Sequence, residues 1–130
     1  MNRCLDVIFV NADSSAAAYQ SLAKDFSAIE PPTWSLLLAQ SCRAKGFGVA
    51  ILDATAEHLT HEQTVQRIAE AKPRLACFVV YGQNPNSGTI NMVGNSECAE
   101  LLKSTFPTIK ICFVGSHTSA LPQEVLAISF

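Results

Sequence analysis

Charge is scarce in this 130-residue chain: 15% of its residues are Asp, Glu, Lys or Arg, and the net charge is −2. The nine basic residues are scattered without a cluster, so the footprint of a nucleic-acid or anionic-membrane binder is missing. No apolar stretch approaches membrane-spanning length. The run from Met1 to Val10 is too short, and broken by Asp6, for a signal peptide. A soluble, cytoplasmic protein with a small neutral ligand is the expectation. CxxC spacing is absent too. Cys4, Cys42, Cys77, Cys98 and Cys112 are odd in number, which argues against a disulfide framework, a zinc site or an iron–sulfur cluster built from this chain alone. They read as reduced core thiols. No G-x-G-x-x-G follows the first apolar run, which argues against a dinucleotide even though Asp53 stands where a ribose-binding acid would.

What is present is apolar and periodic. Hydrophobic residues make up 48% of the chain, enough for the core of one domain. Leu5 to Val10, Val49 to Asp53, Leu75 to Tyr81 and Ile109 to Val114 are short, nearly continuous apolar runs, the pattern of parallel strands buried on both faces. Helical patterns lie between them. One opens at Pro31-Pro32-Thr33, carries Trp34, Leu37, Leu38 and Ser41 as its expected inner stripe, and ends at Gly46. Another follows a capping box, Thr60-x-x-Gln63, and carries Val65, Ile68 and Ala69. A third is expected from Ser96 to Thr105, with Cys98, Leu101, Leu102 and Thr105 inward, and Pro122 opens a last one. Strands alternating with helices predict a flavodoxin-like, Rossmann-like doubly wound parallel sheet in three layers, α/β/α. The apolar ending Leu126 to Phe130 suggests a fold cut before its last strand, with an exposed edge through which two copies would pair.

In such a sheet the ligand crevice lies at the carboxyl ends of the strands. Three loops meet there: Asn11 to Ser15, Tyr81 to Thr89, and Gly115 to Ser119. They offer hydroxyls, amides and glycines, with one carboxylate and one histidine, but no catalytic trio is legible. His117 is either a loop histidine bonded locally or a neighbour of a ligand. Asp13 either anchors a ligand amide or caps a turn. Tyr81 is either a stacking surface or core, Trp34 reads as core, and His58 and His61 read as solvent-facing. A phosphorylated receiver domain would want an aspartate where Val80-Tyr81-Gly82 stands.

Glu30-Pro31-Pro32-Thr33-Trp34-Ser35-Leu36-Leu37-Leu38-Ala39, Gly46-Phe47-Gly48-Val49-Ala50-Ile51-Leu52-Asp53 and Val114-Gly115-Ser116-His117-Thr118-Ser119-Ala120-Leu121-Pro122-Gln123-Glu124 resemble, in order and spacing, the N-terminal cobalamin-binding domain of cobalamin-dependent radical SAM proteins. The last piece is close to that family's G-G-x-H-x-x-x-x-P-E-E. The resemblance implies a flavodoxin-like domain holding the corrin against the strand ends. Carried over by position, Gly115, Ser116, His117 and Thr118 would line the cavity, faced by Tyr81, Gly82, Asn84, Ser87 and Gly88, with Asn11, Asp13 and Ser14 on the first-strand side. It also implies a following domain with a 4Fe–4S cluster on CxxxCxxC that uses S-adenosylmethionine, often for methyl transfer or related radical chemistry at carbon.

Two departures stand out. D-x-H-x-x-G, which supplies an axial histidine in the methionine synthase type, is replaced by Asn11-Ala12-Asp13-Ser14-Ser15, and Ser116 and Thr118 replace the commoner Gly and Pro. No CxxxCxxC occurs, so the chain alone is expected to be non-catalytic: a cobalamin module whose partners are cobalamin and a radical SAM domain. The alternatives are a self-contained flavin or small-molecule domain, or a degenerate domain kept for interaction.

Overall fold

A computed structural model describes residues 5–16, 20–22, 29–81 and 85–128. Strands β1 (Val7–Asn11), β2 (Val49–Asp53), β3 (Leu75–Val80) and β4 (Lys110–Gly115) form one parallel sheet in the order β2-β1-β3-β4. The centre of the sheet is set by the registers Val7↔Val49, Val7↔Leu75 and Leu75↔Lys110. Helices cover both faces, which is the flavodoxin-like arrangement expected from the sequence.

Alternation along the strands divides the core in two. Ile8, Val10, Ala76 and Phe78 face helices α2 (His61–Ala71) and α3 (Pro85–Thr105), where Val65, Ile68, Cys98, Ala99 and Leu102 meet them. Phe78 also stacks on Phe113, ring centroids 5.5 Å apart. Phe9, Cys77 and Val79 face the other way, toward α1 (Thr33–Ala44). Two short helices, α4 (Ser116–Ala120) and α5 (Pro122–Leu126), follow β4, and a single 3-10 turn spans Gln20–Leu22. No helix among the described residues is long and apolar enough to cross a membrane.

The capping box of α2 forms as expected: the Gln63 amide N–H donates to the Thr60 hydroxyl, and the Thr60 N–H to the Gln63 side chain. Three expectations are corrected. The third helix starts at Pro85, eleven residues before Ser96, because proline suits a first turn and the helix's glycines serve close packing instead of breaking it. A Cβ on Gly94 would run into the Asp13 carbonyl and the Ser14 hydroxyl. Helix α1 is also rotated from its predicted stripe. Ser35 and Ala39 face the sheet, small enough for a close approach, while Trp34 and Leu37 are 48% and 55% exposed. Within α3 the inner face is Cys98 and Leu102, with Leu101 only half-buried and Thr105 exposed.

Candidate functional site

The carboxyl ends of the strands carry a connected set of polar groups. At the end of β1 the Asn11 amide donates to Asp53 Oδ1 at 2.9 Å, and the same oxygen accepts the Ala56 N–H at 3.2 Å. Asp53 is thereby committed to its own loop. Asp13 accepts both the N–H and the hydroxyl of Ser15, each at 2.9 Å. Of its two readings, the turn cap is the one formed, although the residue also borders a cavity.

Helix α3 ties the β1 and β3 loops together through two asparagines that the sequence reading passed over. Asn95 is fully buried; its amide donates to the Asn91 carbonyl at 2.7 Å and its oxygen accepts the Ala12 N–H at 3.4 Å. Asn91 donates to the Tyr81 carbonyl at 3.0 Å, and its own carbonyl also accepts the Ser14 hydroxyl at 3.0 Å. The signal was available: two amides one helical turn apart, on a face that must meet apolar strands.

Opposite this ladder, the Trp34 indole stacks on the Tyr81 ring, centroids 4.5 Å apart and planes 20° from parallel. Between stack and ladder lies a cavity of about 290 Å³ at the mouth of the sheet, reached by Asn11, Asp13, Ser14, Tyr81, Ser87 and Asn91. Trp34 is therefore not the core residue expected; its ring is half in solvent because it stands on the first turn of α1, beyond the strand ends. Tyr81 stacks on Trp34 and is half-buried against the core beneath α1.

The remaining predicted residues form a second group. Gly115 ends β4 with φ +153°, and a Cβ there would collide with the Val80 carbonyl, so only glycine lets β4 end beside β3. Gly88 sits where a Cβ would lie 2.6 Å from the Ser116 hydroxyl. His117 Nδ1 pairs with the Thr89 hydroxyl at 3.2 Å, joining α4 to α3. The Thr118 hydroxyl is buried without a partner among the described residues. Gly88, Gly115, Ser116, His117 and Thr118 do not border the 290 Å³ cavity. Gly82 and Asn84 lie outside the described residues.

His61, expected in solvent, instead contacts the Asp13 carbonyl through Nε2 at 3.0 Å, with Nδ1 3.7 Å from Glu97. A carbonyl only accepts, so Nε2 carries the proton and the ring braces the β1 loop. A smaller cavity of about 160 Å³ lies beside it, bordered by Leu59, Thr60 and Gly94. Among the described residues no group of His, Cys, Asp and Glu is arranged to hold a metal ion.

This site is a largely uncharged crevice with hydroxyls and amides on one side and an aromatic pair on the other. It offers dispersed hydrogen-bond partners and flat apolar surface to a polar molecule laid against the strand ends. Comparison with curated proteins and with solved structures gives no match. The family model of the B12-binding domain matches residues 19–129, a span that includes α1, all the strands after β1, and every helix that follows, so the chain belongs to the B12-binding domain family.

Proposed function

We propose that this chain binds cobalamin at the carboxyl ends of its sheet and presents it to a radical SAM domain. The cavity between α1 and the ends of β1 and β3, in a chain of the B12-binding family, carries the reading. The donor set suits the ligand: cobalamin is fringed with amides, and Ser14, Ser87 and Asn91 offer hydroxyl and amide partners, while Trp34 and Tyr81 offer flat apolar surface. When bound, cobalamin supplies a cobalt centre able to carry and release a methyl group.

The radical SAM partnership, with its iron–sulfur cluster and S-adenosylmethionine, and a methyl-transfer reaction rest on the sequence pieces at residues 30–39, 46–53 and 114–124. No described histidine borders the larger cavity. His117 is engaged by Thr89, and His61 by the β1 loop. The cobalt is therefore proposed to be held without histidine from this chain. A flavin mononucleotide fits less well, since its doubly charged phosphate would meet Asp13 and Glu30 at the same cavity.

The test is mixing with hydroxocobalamin followed by gel filtration and a corrin absorption spectrum. Corrin co-eluting at one equivalent, with a spectrum free of histidine ligation, is expected. Complete separation of corrin from protein contradicts the reading, and a histidine-ligated spectrum contradicts the ligation proposal alone.

A further inference from the structure

Helix α1 packs on one face of the sheet through Ala39, Leu38 and Cys42. Two cysteines lie on the same face. Cys77 on β3 and Cys112 on β4 are direct register partners, and both point into the core shared with α1. Neighbouring strands lie ~4.8 Å apart, inside the ~4.4–6.8 Å range of Cα separations that disulfides span. The exposures of the two thiols differ: Cys77 is buried at 6%, whereas Cys112 is half-buried on the edge strand.

We propose that Cys77 and Cys112 form a peroxide-reactive thiol pair that closes to a reversible disulfide between β3 and β4. The direction of reaction follows from exposure. Cys112 is half-buried on the edge strand and meets the oxidant first, while Cys77 is buried, and the neighbouring Cys77 thiol shifts Cys112 toward its thiolate. Cys112 thiolate attacks the outer oxygen of a hydroperoxide, the O–O bond breaks, and the alkoxide or hydroxide leaves, giving a sulfenic acid at Cys112. The Cys77 sulfur then attacks the Cys112 sulfur, hydroxide departs and takes the Cys77 proton as water, and the S–S bond forms. Two thiols are oxidised and one hydroperoxide is reduced. Cys98 takes no part, because it is fully buried on the opposite face and burial pushes its thiol up to about 12. Cys42 on α1 borders the same core and is the competing partner.

The experiment treats the purified, reduced chain with hydrogen peroxide and reads intact mass, free thiols after denaturation, and cross-linked peptides. The expected result is loss of two hydrogens, a fall from five free thiols to three, a Cys77–Cys112 peptide pair, and full reversal by dithiothreitol. Cys42→Ala should leave the cross-link unchanged, and Cys77→Ala should stop the reaction at a sulfenic acid on Cys112 that dimedone traps. A Cys42–Cys112 cross-link, added oxygen at Cys112 of the native chain without a bridge, or an unchanged thiol count overturns the proposal. The native-chain measurement decides the matter even where a variant fails to fold, and it does not depend on cobalamin binding.

Discussion

Trp34 and Tyr81 stack at 4.5 Å across the mouth of the larger cavity, joining the first turn of α1 to the residue after β3. This contact bridges two segments 47 positions apart in sequence and forms the aromatic wall of the site. Aromatic pairs contribute about 0.5–1.5 kcal/mol beyond the area they bury. Trp34→Ala should therefore weaken cobalamin binding by up to about tenfold, while Trp34→Phe keeps most of it. Equilibrium titration of the two variants checks this, and equal affinities would show that the wall does not touch the ligand.

Gly94 is where α3 comes closest to the β1 loop. Because a Cβ there would collide with the Asp13 carbonyl and the Ser14 hydroxyl, Gly94→Ala should push the loop off the helix and cost about 1–3 kcal/mol of stability. Urea denaturation measures the loss. The Ser14 bond to Asn91 is expected to break with it, so ligand affinity should fall together with stability.

Asn95 is the buried hub of the polar ladder. Removing its side chain leaves the Ala12 N–H without its acceptor, and an unsatisfied buried group costs about 1–3 kcal/mol. Asn95→Ala should be destabilised by that amount, and Asn95→Asp by more, because the Asn91 carbonyl would face a carboxylate. Chemical denaturation of both variants gives the order.

Cys98 links stability to alkaline pH. Its thiol is held up at about 12 by burial, against an ordinary value of 9.0. The native state thus keeps a proton that the unfolded chain loses. The stabilisation is complete below pH 9 and declines as pH rises from 9 toward 12, at up to about 1.4 kcal/mol per pH unit. Cys98→Ala should show a shallower decline over that window in denaturation curves recorded at successive pH values.

Much of the fold was legible because its signals are local. The four apolar runs became the four strands, and Thr60 with Gln63 became a capping box. The errors came where side-chain chemistry serves tertiary contact. Gly88 read as part of a loop, yet it, like the unremarked Gly94, marks a place where α3 must come close to another segment. Leu37 fitted an inner stripe, but Ser35 and Ala39 took the inner face because small residues let α1 lie close to the sheet. Asn11, Asp13, Ser14, Tyr81 and Ser87 are gathered at one cavity. His117 was drawn instead into a bond with Thr89, a partner 28 positions away that no local pattern marks.

Trp34 is the chain's single tryptophan, and it stands at the wall of the proposed site, so its fluorescence reports directly on that cavity. The most direct measurement is titration of the native chain with hydroxocobalamin while following this emission, corrected for corrin absorption. The account predicts strong, saturable quenching that ends at one equivalent. Emission unchanged throughout the titration would contradict cobalamin binding at the ends of these strands.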